Sequence, residues 1–335
     1  MMASNASGAH DWTQVVSALP WIHVTTAFIS GLGSVSVLTW VTSQWRLGGA
    51  ASELRPLLLL AASDLLLSLC GLLGGALLAG QAEDGAWYAL SAATQVVGMM
   101  SFFYTLDYVW NAYARLRLNF RCVRHQLPAE IVKHPIPSAN LTASLSGVLP
   151  LLLMAPVLAR ARIDGCGAGC GDADRCLLTL LGALPVTAET PVPACRLLRA
   201  YSGAVFLTAF FITLFGVSVL VGKCRQLYRR VVTSHGYLGN RQRVSLRALD
   251  LRLLAYSLIL VVCWGPTAYL VATGSPSDVL YATRAVTSAS PGVLRLAALT
   301  CARGSPTRDL SWRDADTQTP LLRAQRTTTT STRPT

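Results

Sequence analysis

The sequence predicts an all-α polytopic membrane bundle, and three observations carry that reading. Six stretches of about twenty residues (19–45, 56–80, 86–113, 141–159, 201–222 and 253–273) are almost free of charge. A helix rising about 1.5 Å per residue needs roughly 20 apolar residues to cross a hydrocarbon core. Charged residues make up 13% of the chain and apolar residues 52%, against about 25% charged in soluble domains. The basic residues also alternate between loops, as expected when they stay on the cytoplasmic side.

The net charge is +12, yet its placement points to topology and not to nucleic acid. Arg46 and Arg55 follow the first span, and the loop after the second has no Lys or Arg. Arg115, Arg117, Arg121, Arg124 and Lys133 follow the third, and a run from Lys223 to Arg252 follows the fifth. This places residues 1–18 outside, as a short extracellular N-terminus ahead of an uncleaved first span. It lacks the basic start of a signal peptide, and the apolar run from Leu19 exceeds a signal core. Residues 160–200 disobey, with Arg160, Arg162, Arg175, Arg196 and Arg199 on the outer side, but long loops follow the rule poorly. The chain is expected in the plasma membrane or a secretory-pathway membrane, with the lipid bilayer as its first partner.

The outer loop also gathers Cys166, Cys170, Cys176 and Cys195. An oxidising compartment favours disulfides, and four cysteines allow three pairings that the sequence does not separate. Zinc is the competing reading for Cys166 and Cys170, but no histidine accompanies them, and neither a metal nor a cofactor is expected. Asn5 heads a glycosylation sequon, Asn5-Ala6-Ser7, on the outer side. Cys122 and Cys224, on the inner side, are candidates for palmitoylation.

Within the spans, Gly71 and Gly75 have GxxxG spacing, suited to helix packing in the bundle or to dimerisation. Pro150 and Pro156 in the fourth span, and Pro266 in the sixth, remove backbone donors and kink their helices. Segment 279–302 has the length of a seventh span but carries Arg284, Arg295 and, between them, Pro291-Gly292. An arginine at mid-membrane costs about 2.5–3.5 kcal/mol on insertion scales. Arg284 is therefore expected to snorkel outwards and Arg295 inwards. The texture changes after Leu294, as it would with an alternative last exon. Residues 303–335, rich in Arg, Thr and Pro, read as a disordered cytoplasmic tail.

Two acids stand inside spans. Asp64, in the second, must face the interior with polar partners or an ion, and Ser34 in the first is a candidate partner. The competing role is a protonated packing residue. Asp107 lies near the cytoplasmic end of the third span, where it is either a second candidate for an intramembrane polar or ion site or an acid that simply meets interfacial water. Gln95 lies higher in that helix and is a candidate cavity-lining residue.

Leu60-Ala61-Ala62-Ser63-Asp64 in the second span and Cys263-Trp264-Gly265-Pro266 in the sixth resemble the G-protein-coupled receptor superfamily. Arg55-Pro56-Leu57 running into Asp64, and Tyr104-Thr105 through Tyr108 to Trp110, make the chain most similar to the orphan transmembrane protein 116 family, related to cAMP-receptor-like receptors. The likeness spans roughly 20–294. It implies a seven-transmembrane receptor-like bundle over 19–302 with a degenerate or marginal seventh span. It also implies that Trp264, flanked by Cys263, is a ring that moves, and that Pro266 is the kink allowing the sixth helix to swing. Asp64 would match the acid that binds sodium or water.

The implied function is an orphan receptor-like protein. An unknown extracellular ligand would drive signal transduction through the sixth helix to a cytoplasmic partner. Several family marks are missing. Ser34 replaces the usual first-helix Asn, no cysteine stands at the outer end of the third span, Asp107-Tyr108 lacks the intervening arginine, and the seventh segment has no Asn-Pro-x-x-Tyr. An enzyme is not expected, since the chain lacks both a buried histidine cluster and the Gly-x-Gly-Asp pattern of intramembrane aspartyl proteases. A non-signalling membrane scaffold or a small transporter is the alternative.

Overall fold

A computed structural model describes residues 6–47, 51–79, 84–125, 138–163, 193–234, 240–273 and 278–304. The helices are α1 (Ala6–Arg46), α2 (Ala51–Ala79), α3 (Asp84–His125), α4 (Ser138–Ile163), α5 (Pro193–Ser234), α6 (Asn240–Thr273), α7 (Asp278–Ser288) and α8 (Pro291–Gly304). Six of them, α1 to α6, are long and apolar enough to cross a membrane. No strand occurs among the described residues. The prediction of an all-helical, multi-span chain is met. Several helices overrun their apolar stretches; α3 continues through Arg115 and Arg117 to His125, and α5 through Lys223 and Arg225 to Ser234. Arginine and lysine are good helix formers, so a helix need not stop where its apolar core does.

Neighbouring helices close a ring. α1 packs on α2, α2 on α3, α3 on α5 and α5 on α6, and α7 and α8 fit between α6 and α1. α4 stands outside that ring against α3 and α5. The core is continuous along the ring. Phe102, Phe206, Phe210 and Trp264 pack with Met99 and Met154 between α3, α4, α5 and α6. Val37, Val41, Leu57, Leu60, Tyr256 and Leu299 join α1, α2, α6 and α8. The outward faces are apolar too: Phe28 on α1, Leu152 on α4, Phe215 on α5 and Leu258 on α6 are all more than half exposed. A protein surface of this kind is matched to lipid tails.

The glycines of α1 and α2 serve packing within this bundle. A Cβ on Gly71 would stand 2.9 Å from that of Ala27, and one on Gly75 would collide with Val24. Both neighbours belong to α1, so the GxxxG pair is used by the chain's own first helix. Gly33 is less forgiving, because a Cβ there would meet backbone, 2.8 Å from the nitrogen of Val293 and 2.9 Å from the carbonyl carbon of Gly292. Backbone cannot rotate aside as a side chain can.

The break between α7 and α8 follows from Pro291. Proline disfavours helical geometry in the preceding residue and has no N–H to donate, yet suits the first position of a helix. Ser290 is accordingly non-helical, and its hydroxyl donates to the Thr287 carbonyl at 3.0 Å. Helical bonding resumes with the Leu294 N–H on the Ser290 carbonyl at 3.2 Å. Cys166, Cys170, Cys176 and Asn5 lie outside the described residues, as do the side chain of Cys195 and the segment 305–335. Cys224 is buried, 4% exposed, against α3 and α6, which leaves its thiol inaccessible to a lipid-transferring enzyme.

The α1–α8 contact separates two small substitutions that look alike in the sequence. Gly33→Ala must push α8 away and is expected to cost about 1–3 kcal/mol, the range for overpacking. Gly31→Ala meets Ser68 Cβ at an ordinary 3.5 Å and should be neutral. Thermal melts of the two purified variants, compared with the parent, check this.

Candidate functional site

Asp64 on α2 and Arg295 on α8 form an ion pair between Oδ2 and a guanidinium NH, with side chains 1% and 5% exposed. Its setting is polar. The other arginine NH₂ group donates to Ser101 Oγ at 3.0 Å and Thr105 Oγ1 at 3.3 Å, both on α3. The Ser101 hydroxyl lies 3.4 Å from Asp64 Oδ1, and Thr105 donates to the Ser101 carbonyl at 2.7 Å. Three helices thus share one hydrogen-bonded cluster. Removing two charges from water costs several kcal/mol per ion, which the pairing and these hydrogen bonds offset, although Arg295 Nε is buried without a hydrogen-bond partner.

Arg295 was expected to snorkel to the inner interface and Arg284 to the outer one. Both are instead buried, at 4% and 7% exposure. The reason is depth. Asp64 lies ten residues beyond Leu54, and Arg295 nine residues before Gly304, so the two charges come level when α2 and α8 pack together. A carboxylate at the same height is a better partner than a stretch to distant water. Sequence reasoning placed both charges without pairing them; matching their depths would have done so.

The neighbouring serines seat α8 on α1. The Gly292 N–H donates to Ser30 Oγ at 3.0 Å. A Cβ on Gly292 would collide with Ser34 Oγ and the Ser30 carbonyl, so only glycine fits. Ser34 donates to the Ser30 carbonyl at 3.1 Å. Its hydroxyl therefore faces Gly292, and the hydroxyl beside Asp64 is that of Ser101. Farther along the chain, His23 of α1 reaches the Ala285 carbonyl of α7 through Nδ1 at 3.1 Å. Asp107 stands apart from this cluster. It is 4% exposed and holds the amide of Asn111, whose Nδ2 donates to Oδ1 at 3.0 Å and to the Asp107 carbonyl at 2.8 Å. Of the two readings open for Asp107, interfacial water does not apply, since the side chain is buried and takes a donor from the asparagine one turn on.

Trp264 is 5% exposed and lies on the α3 face. A Cβ on Gly98 would stand 2.6 Å from its Cη2. The indole meets Phe102 edge-on, with centroids 5.0 Å apart at 90°, and Phe206 of α5 at 6.0 Å. Cys263, fully buried, places Sγ 3.9 Å from Ser290 Oγ at the α7–α8 break. Pro266 lies inside α6 two residues beyond Trp264. One face of the indole borders a cavity of about 40 Å³ shared with His23, Thr94, Arg284 and Ser288. Above the aromatic cluster, Gln95 and Ser202 clasp α3 to α5: Nε2 donates to the Ser202 carbonyl at 2.8 Å, and the serine hydroxyl donates to Oε1 at 2.6 Å. No grouping of three His, Cys, Asp or Glu able to hold a metal occurs among the described residues.

Six apolar helices, lipid-matched faces and a buried ion-pair cluster define an all-helical multi-pass membrane protein. The model of one family, Transmembrane protein 116, matches residues 16–331. The chain belongs to that family.

Breaking the central pair strands a charge. Arg295→Ala and Asp64→Ala are each expected to cost about 3–5 kcal/mol, while the double variant Asp64→Leu with Arg295→Met should lose far less. Melting temperatures of the three variants in one detergent check this.

Proposed function

We propose that this chain is a receptor-like switch with seven crossings, its N-terminus outside and α7 with α8 forming the seventh. The 27 residues of Asp278–Gly304 reach about 40 Å as helix, enough for the hydrocarbon core. The observation that carries the reading is the place of Trp264. It touches α3 and α5, borders the cavity, and follows a cysteine in contact with the α7–α8 break. A ligand entering from the outer side would change how the indole packs, and α6 would turn about Pro266.

The inner end of α6 would carry that change to a cytoplasmic partner. Arg225 of α5 donates through Nε to Asp250 of α6 at 3.1 Å. Both side chains are about half exposed, so the bridge is weak enough for a partner to replace. The missing arginine after Asp107 and the missing seventh-helix tyrosine argue that this partner need not be a G protein. The second reading, a non-signalling scaffold, is favoured by one observation: Asp64 is already neutralised by the chain's own Arg295, so the bundle is locked without any bound cation.

Spin labels at Arg117 on α3 and Leu251 on α6 separate the two readings. A switch predicts that Trp264→Ala with Pro266→Ala shifts or broadens the label distance by roughly 5 Å, one helical turn. A distance distribution identical to that of the parent contradicts it and fits the scaffold.

A further inference from the structure

We propose that the ends of α3, α5 and α6 carrying Arg117, Lys223, Arg225 and Arg252 hold the headgroup of an anionic phospholipid. The three ends lie together, since Leu116, Cys224 and Leu253 pack in one cluster and Arg225 bridges to Asp250. From Tyr108 to His125 on α3, and along the whole of α5 and α6, Asp250 is the one acid in the sequence. Against it stand four Lys or Arg at this end of each helix. Height decides what meets that charge. Arg117, Lys223, Arg225 and Arg252 fall inside the membrane-compatible spans, within about a turn of the ends at Leu118, Leu227 and Leu249. The headgroup layer is only about 6 Å deep on each side, and Lys and Arg stems reach from these positions to lipid phosphates. A cytosolic protein would meet the residues beyond.

The lipid-facing side of α5 continues the site. Phe211, Phe215 and Val219 are exposed and lead, in steps of four residues, to the exposed Lys223. An acyl chain can lie on that stripe while its phosphate meets the ammonium. Topology alone asks for positive charge on this side and not for a tail path beneath it. Arg225 now gives Nε to Asp250 at 3.1 Å, and a phosphate offers its guanidinium a forked pair of acceptors instead. Arg252 Nε is buried without a hydrogen-bond partner, a donor for an acceptor that the chain does not supply. A bound headgroup would thus replace Asp250 in the α5–α6 bridge. That deepens the switch reading, but lipid retention in detergent depends on neither orientation nor signalling, so either can fail alone.

The test is native mass spectrometry of the full chain, released from detergent holding equal amounts of phosphatidylcholine, phosphatidylserine and phosphatidylinositol bisphosphate. Retention is expected to rise with headgroup charge. A basic residue at such a surface is worth about fivefold in affinity, so Lys223→Gln should lose about fivefold and Lys223→Gln with Arg225→Gln about 25-fold. Arg46→Gln removes the same charge from the end of α1, which packs on α2, α7 and α8, and should change nothing. Asp250→Asn frees Arg225 and should strengthen retention, a gain that misfolding cannot produce. Equal retention of the three lipids, an equal loss with Arg46→Gln, or no response to the site variants would overturn the inference. Capture of a polyglutamate peptide, with no preference among the lipids, would also overturn it and assign the surface to an acidic protein.

Discussion

A carboxylate and a guanidinium facing each other away from water constrain everything around them. Neither Asp64 nor Arg295 can sit at membrane depth alone, because an unpaired ion there has no solvent to spread its field. Paired, and hydrogen-bonded to Ser101 and Thr105, they fix α8 against α2 and α3 at one height and one rotation. The pair is buried, whereas the Arg225–Asp250 bridge is on the surface. Such a pair adds little net stability relative to apolar residues of the same volume. It does penalise every arrangement that separates its members. That makes it a device of register.

Close packing of α8 on α1 follows from the same constraint. Gly33 and Gly292 bring the two backbones together, and Ser30 uses the Gly292 N–H that Pro291 leaves near the start of a helix. The break at Ala289–Ser290 then lets α7 and α8 serve different neighbours. α7 meets His23 and lines the cavity, while α8 carries the arginine. A straight helix through this region would bind the orientation of Arg284 to that of Arg295. The proline decouples them.

The six long helices were legible because length and lack of charge are local properties of sequence, and lipid enforces helix on any such stretch. Trp264 and Asp64 were legible as unusual residues at recognisable positions. Their partners were not. The link from Asp64 to Arg295 joins residues 231 apart in the chain, and only the antiparallel packing of their helices makes them neighbours. Ser34 was a candidate partner for Asp64, whereas rotation about α1 turns it to Gly292. Asp107 shows the opposite case: its donor, Asn111, is one turn away and readable from i, i+4 spacing. Arg295, one of the two arginines that made 279–302 look unsuited to a membrane, is a residue that holds it in the bundle.

The Asp64–Arg295 pair inside the membrane requires that last segment to cross back through the bilayer. Tags at the two termini, probed with antibodies in intact and then permeabilised cells, test this directly. With seven crossings the N-terminal tag is labelled in intact cells and the C-terminal tag only after permeabilisation. Both tags accessible on the same side would mean six crossings, and the pairing of α8 with α2 and α3 inside the membrane would be contradicted.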